Sequence, residues 1–184
     1  MGVVGHKLIS VDDHIVEPAD LWQKRLPARH LHAGPRVVDL DAAPDASGED
    51  SDVFDDLPFS AAPATSFAAD GLVGRQAWLF EGRLYPVVGL SAVAGRGTDQ
   101  DATNPVRFDQ IRPGFHDIHA RIDDMDSDGV WAQLNYPTFC GLAGGRFLDA
   151  ADKDLALACV QAWNDFMIEE WCAAAPGRQI PQAI

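Results

Sequence analysis

The chain has 184 residues, 47% of them hydrophobic and 23% charged, a balance that excludes a wholly disordered or collagen-like protein. Its formal net charge of −14 has the wrong sign for neutralising nucleic-acid phosphates or anionic lipid, so neither nucleic acid nor membrane is an expected partner. Three cysteines, Cys140, Cys159 and Cys172, lack Cys-x-x-Cys or Cys/His spacing, and no apolar stretch approaches the roughly 18 residues of a membrane span, which points to a reduced, cytoplasmic protein.

In chain order, Lys7–Asp12 (KLISVD) is a short branched apolar run that predicts a buried strand. Pro18–Leu26 places a proline at a helix start with Leu21, Trp22 and Leu26 near helical spacing, predicting a short helix. From Val37 to Gly74 no Lys or Arg occurs, while Asp39, Asp41, Asp45, Glu49, Asp50, Asp52, Asp55, Asp56 and Asp70 do. This run reads as a surface excursion, within an insertion or lid spanning 27–115, since it lacks the apolar periodicity to offset its ordering entropy. Gln76–Val88 reads as two strands turning at Glu81-Gly82.

Beyond the insertion the pattern becomes regular. Ile118, Ile122 and Met125 recur at helical spacing, with Asp117 able to cap the start and Gly129 able to end the helix in a left-handed conformation. Val130–Tyr136 then reads as a strand stopped by Pro137. Asp152–Ala175 is a longer amphipathic helix, its apolar face carrying Leu155, Cys159, Ala162 and Phe166 beside Trp163 and Met167. Gln179–Ile184 begins a third strand. The order βαβαβ predicts an α/β fold with a parallel sheet, whose last strand lacks a neighbour at Ile184. An eight-stranded barrel needs roughly 250 residues, so the sequence reads as the N-terminal part of a (β/α)8 TIM barrel with about three of eight strands. A small self-contained α/β domain, with the acidic run as a binding module, is the alternative.

The chemistry-bearing constellation lies at the end of the first strand. Alternation puts Asp12 and His14 on one side and Asp13 on the other, so a carboxylate and an imidazole converge with Glu17 close by. Such a pair is half of a divalent-metal site; Asp and His also pair with each other, or satisfy backbone groups, without a metal. Asn135 and Tyr136 end the second predicted strand and face the same barrel mouth or pack there. Cys140, His116, His119, His30 and His32 have structural readings as apolar filler or surface imidazoles. Gly95-Arg96-Gly97 continues into no dinucleotide fingerprint, so no nucleotide cofactor is expected.

The segment ISVDDHIVEPADLW resembles the opening of the amidohydrolase-related family that includes aminocarboxymuconate-semialdehyde decarboxylase and the aromatic-acid decarboxylases. Pro105–Gly141 is similar to that family's passage through its first barrel helix into strand 2, and Asp154–Ile184 to its second helix and third strand. The resemblance implies a metal-dependent barrel spanning 1–184 in part, with one divalent ion, Zn2+ or Mn2+, held by Asp12 and His14. It implies a small-molecule substrate, a carboxylic acid that is aromatic in the aromatic-acid decarboxylase branch, and a homo-oligomer; their places at the strand ends make Glu17, Asn135 and Tyr136 the candidate substrate-side residues. The general acid or base is expected beyond Ile184. The Asp-x-His pair departs from the His-x-His of many amidohydrolases, which favours carboxy-lyase chemistry over two-metal hydrolysis; a truncated, non-catalytic remnant is the competing expectation.

Overall fold

The computed structural model describes residues 6–40, 74–85, 92 and 107–184. β1 (Leu8–Ile15) runs further than the apolar run that seeds it, because its parallel pairing with β5 (Val130–Pro137) continues through Asp13 opposite Asn135, His14 opposite Tyr136 and Ile15 opposite Pro137. Pairing of Ser10 with Gln133 and then of Asp13 with Asn135 leaves one extra residue on β1, a bulge at Val11–Asp12 that turns the strand beside its acidic end. β6 (Gln179–Ile180) pairs in parallel with β5, giving the sheet order β1-β5-β6. Only two of the six residues expected in this strand pair.

Between β1 and β5 lie α1 (Leu21–Arg25), an antiparallel meander of β2 (Arg36–Leu40), β3 (Arg75–Phe80) and β4 (Arg83–Tyr85), and α2 (Ile118–Asp128). The predicted turn at Glu81-Gly82 is present, both residues having positive φ (48° and 79°), which matches the twist of a two-residue hairpin. Glu81 also accepts hydrogen bonds from the Ala151 and Asp152 amides (2.9 and 2.8 Å), fastening the hairpin to the start of a later helix. β2 corrects the sequence reading in part: Val37–Leu40, taken as the start of the acidic excursion, pairs with β3, while 41–73 lies outside the described residues.

α2 forms as its caps predict. Asp117 accepts from the Ala120 amide (2.9 Å), and Gly129 adopts φ 75° at the far end. After β5 come a short α3 (Gly145–Leu148), which periodicity did not reveal, and α4 (Lys153–Phe166), capped by Asp152 through the Asp154 and Leu155 amides (both 3.0 Å). The expected single helix to Ala175 instead widens into a π turn over Met167–Trp171 before α5 (Cys172–Ala174). That widening keeps Phe166, Met167 and Trp171 all buried. Among the described residues no helix is long and apolar enough to cross a membrane.

The main core gathers beyond the ends of β1 and β5, where Trp22 of α1 meets Trp78, Phe139 and Phe147 edge-on at 5.3, 5.3 and 5.9 Å. Its indole nitrogen donates to the Cys159 carbonyl of α4 (3.2 Å), so one residue ties α1 to α4 while filling the space between them. Trp78, Phe80 and Ile111, all within the 27–115 segment, belong to the same core as the parallel sheet's residues. This part of the predicted insertion is therefore structural packing.

Glu17, immediately after β1, is fully buried. Its two carboxylate oxygens accept from the Phe139 and Cys140 amides, each at 2.9 Å, so it stitches the loop after β1 to the loop after β5. Burial raises its pKa above the ordinary carboxyl value, and the amide hydrogen bonds pull it back in part.

Two outcomes are expected of urea unfolding. Trp22→Ala lowers stability by about 3–5 kcal/mol, the range for deleting a large buried aromatic. Glu17→Gln leaves one amide without its acceptor and costs about 1–3 kcal/mol. A raised carboxyl pKa contributes stability that is fully present below the unfolded value and is lost as pH rises through the folded one. The glutamine lacks that loss, so the Glu17→Gln deficit is larger near about pH 4 than at about pH 8.

Candidate metal centre

β1 carries Asp12 and His14 to its carboxyl end, where they face each other with His14 Nε2 and Asp12 Oδ1 3.9 Å apart. This exceeds hydrogen-bonding distance, so neither atom is committed to the other. The side chains are 87% (Asp12) and 41% (His14) exposed, which leaves an anionic oxygen and an imidazole nitrogen accessible together. Oxygen and imidazole donors suit Zn2+ and Mn2+ alike, and this pair fits part of such a coordination sphere. Among the described residues no group of three or more His, Cys, Asp or Glu side chains is placed to hold a metal. The pair is a partial donor set.

Parallel register puts Tyr136 beside His14, their ring centroids 5.9 Å apart and tilted by 39°. Asn135 takes the other face of β5. It is almost completely buried, and its amide nitrogen donates to Gln179 Oε1 at 2.7 Å. The same oxygen accepts from Trp171 Nε1 (3.3 Å), while Gln179 Nε2 approaches Met125 Sδ (3.1 Å), so Asn135 sits in a polar knot between β5, β6 and the helices. The sequence reading put Asn135 and Tyr136 at one mouth; successive strand residues face opposite ways, and the structure brings only Tyr136 next to His14. Glu17 is likewise not brought to the pair, its oxygens being occupied by the amides of Phe139 and Cys140.

The backbone beneath the pair is held from several directions. Arg121 of α2 donates from Nη2 to the His14 carbonyl (2.5 Å), Thr138 Oγ1 donates to the Ile15 carbonyl (2.7 Å), and the Val16 amide donates to the Phe115 carbonyl (2.8 Å). Burial lowers the Arg121 pKa, with Asp13 and Asp124 opposing that shift. Arg121 and Thr138 were not singled out from sequence. The available signal for Arg121 is that it is the one Lys or Arg in the otherwise acidic Ile118–Asp128 helix.

The remaining candidates lie elsewhere. Cys140 is fully buried, and burial together with the nearby Glu17 carboxylate pushes its thiol pKa well up, which makes it unreactive. Burial also lowers the pKa of His116, whose ring lies 5.4 Å from Phe108. His30 is buried and accepts from Arg29 Nε (3.1 Å), whereas His119 is exposed.

No family model matches the chain, and no curated protein does. Among solved structures it is similar to an amidohydrolase from Mycobacterium avium subsp. paratuberculosis K-10, with a TM-score of 0.55 and 18% identity. The match covers 98% of this chain and 42% of that one, so the chain spans less than half the length of the protein it resembles. At this identity the likeness is one of fold: almost the whole chain takes the α/β arrangement of a stretch of an amidohydrolase.

Proposed function

We propose that the chain is the metal-pair-bearing portion of an amidohydrolase-related (β/α)8 barrel enzyme, a hydrolase or non-oxidative carboxy-lyase acting on a small carboxylic acid. The observation that carries this reading is the convergence of Asp12 and His14 at the carboxyl end of a parallel strand, with Tyr136 on the neighbouring strand alongside. Catalytic groups gather at that end of the strands in parallel barrels. The fold likeness to an amidohydrolase supports it.

Asp12 supplies an anionic oxygen and His14 a neutral ring nitrogen for one divalent ion, Zn2+ or Mn2+. Such an ion, when bound, polarises a substrate oxygen or lowers the pKa of water to roughly 7. Tyr136, whose ring lies beside the imidazole, supplies a hydroxyl for orienting a substrate oxygen. Glu17 and Asn135 serve the substrate side from below, by fixing the loop after β5 and the strand that carries Tyr136. The general acid or base belongs to later strands of the complete enzyme, and the Asp-x-His pair favours carbon–carbon bond cleavage over two-metal hydrolysis.

Calorimetric titration of the purified chain with Zn2+ and Mn2+ tests the reading. One ion is expected to bind per chain, and His14→Ala to weaken it about a hundredfold or more, since even outer-sphere partners of metal ligands are worth 10–100-fold. Asp12→Ala combined with His14→Ala abolishes binding. Unchanged binding in the double variant overturns the assignment.

A further inference from the structure

Arg121 reaches from α2 across to β1, and its only hydrogen bond among the described residues is to the carbonyl of His14, at 2.5 Å. Two facts separate this contact from an ordinary surface ion pair. First, the nearby Asp124 is already held by Arg112, through Nε at 2.8 Å and through Nη2, and among the described residues no carboxylate lies within ion-pair distance of Arg121. Second, Arg121 Nε and Asp13 Oδ2 are both buried without a hydrogen-bond partner, so the guanidinium is set by its reach to the carbonyl and by the Phe115 ring 5.4 Å away.

The location gives the contact its consequence. Among the described residues β1 pairs with β5, and the bulge at Val11–Asp12 lies just before His14. The register breaks just before His14, and Arg121 on the His14 carbonyl joins Thr138 on the Ile15 carbonyl and Phe115 on the Val16 amide in fixing the backbone that follows. Holding the His14 carbonyl restrains the main chain from which the imidazole projects towards Asp12 and Tyr136. An arginine fork, planar and always charged, restrains a carbonyl more closely than a lysine does.

We infer that Arg121 is a positioning residue for the metal pair: by holding the His14 carbonyl it sets the imidazole against Asp12 and Tyr136. The inference rests on the proposed function for its consequence in metal affinity, but the orientation of His14 stands apart from it. Asp13, whose carboxylate faces Arg121 from β1, and Asp124 beside it on α2 supply the balancing negative charge. Groups bonded directly to a ligand's side chain alter metal affinity by about 10–100-fold when removed, and a contact to the ligand's main chain is expected at the low end of that range.

The test compares Arg121→Gln and Arg121→Lys with Leu155→Ala, a fully buried α4 residue outside the strands that carry the pair, whose truncation lowers stability. In the metal-free chain, two-dimensional NMR of the His14 and Tyr136 ring signals is expected to show both displaced in Arg121→Gln, displaced less in Arg121→Lys, and unmoved in Leu155→Ala. Zn2+ or Mn2+ then binds about tenfold more weakly to Arg121→Gln, with Arg121→Lys intermediate. If Arg121→Gln does not fold, Arg121→Lys decides on the same ring signals. Ring signals that coincide with the parent chain, or that move equally in Leu155→Ala, overturn the inference. Failure of the parent chain to bind either ion overturns the proposed function instead, and the ring signals still decide the role of Arg121.

Discussion

Parallel pairing of β1 with β5 is the constraint from which the rest of the arrangement follows. These strands are separated by more than a hundred residues, yet their register places His14 beside Tyr136 and Asp13 beside Asn135. The apolar residues of β1 cannot hold that register alone, since Leu8, Ile9 and Val11 are exposed. Polar contacts at the carboxyl end supply the remainder: Thr138 on the Ile15 carbonyl, Phe115 on the Val16 amide, and Glu17 on two amides beyond β5. A pleated register is periodic in two residues, so a slip of one would turn His14 away from Tyr136 and Asn135 out of its knot with Gln179.

That end of the sheet is also where the core lies. Trp22 packs edge to face on Trp78, Phe139 and Phe147 above the strand ends, so the loops after β1 and β5 are anchored in apolar packing. Phe139 is a core ring whose own amide is bonded to Glu17, which couples the aromatic cluster to the buried carboxylate through one residue. The antiparallel meander takes part in this packing through Trp78 and Phe80. A segment that interrupts the βαβ progression thus becomes a wall of the core beside the candidate site.

Local signals explain which parts of this were legible in the sequence. α2 was readable because its determinants are neighbours: Asp117 caps it, Gly129 ends it and its apolar residues recur at helical spacing. The hairpin was readable from Glu81-Gly82. β2 was not, because Arg36–Leu40 becomes a strand only by meeting β3 across some thirty residues of acidic sequence. The π turn was hidden for a similar reason: Met167 and Trp171 are both apolar, and only packing against the core decides that both must be buried. At the site, the Asp12–His14 convergence follows from strand alternation, whereas Glu17 and Arg121 bond to backbone groups more than a hundred residues away, which no spacing rule reveals.

Three carboxylates within six residues of β1 and its exit show how environment divides one residue type into three roles. Asp12 stays largely in water, incurs little desolvation and keeps its oxygens uncommitted. Asp13 turns to the other face, where Arg121 provides opposite charge without a direct ion pair. Glu17 is withdrawn from water altogether, and two backbone amides offset part of that cost. A metal ligand has to remain accessible until its ion arrives, and a buried carboxylate bonded at both oxygens does not meet that condition. Of the three, Asp12 alone combines exposure with a facing imidazole, and Glu17 and Arg121 hold the backbone that makes this facing arrangement persist.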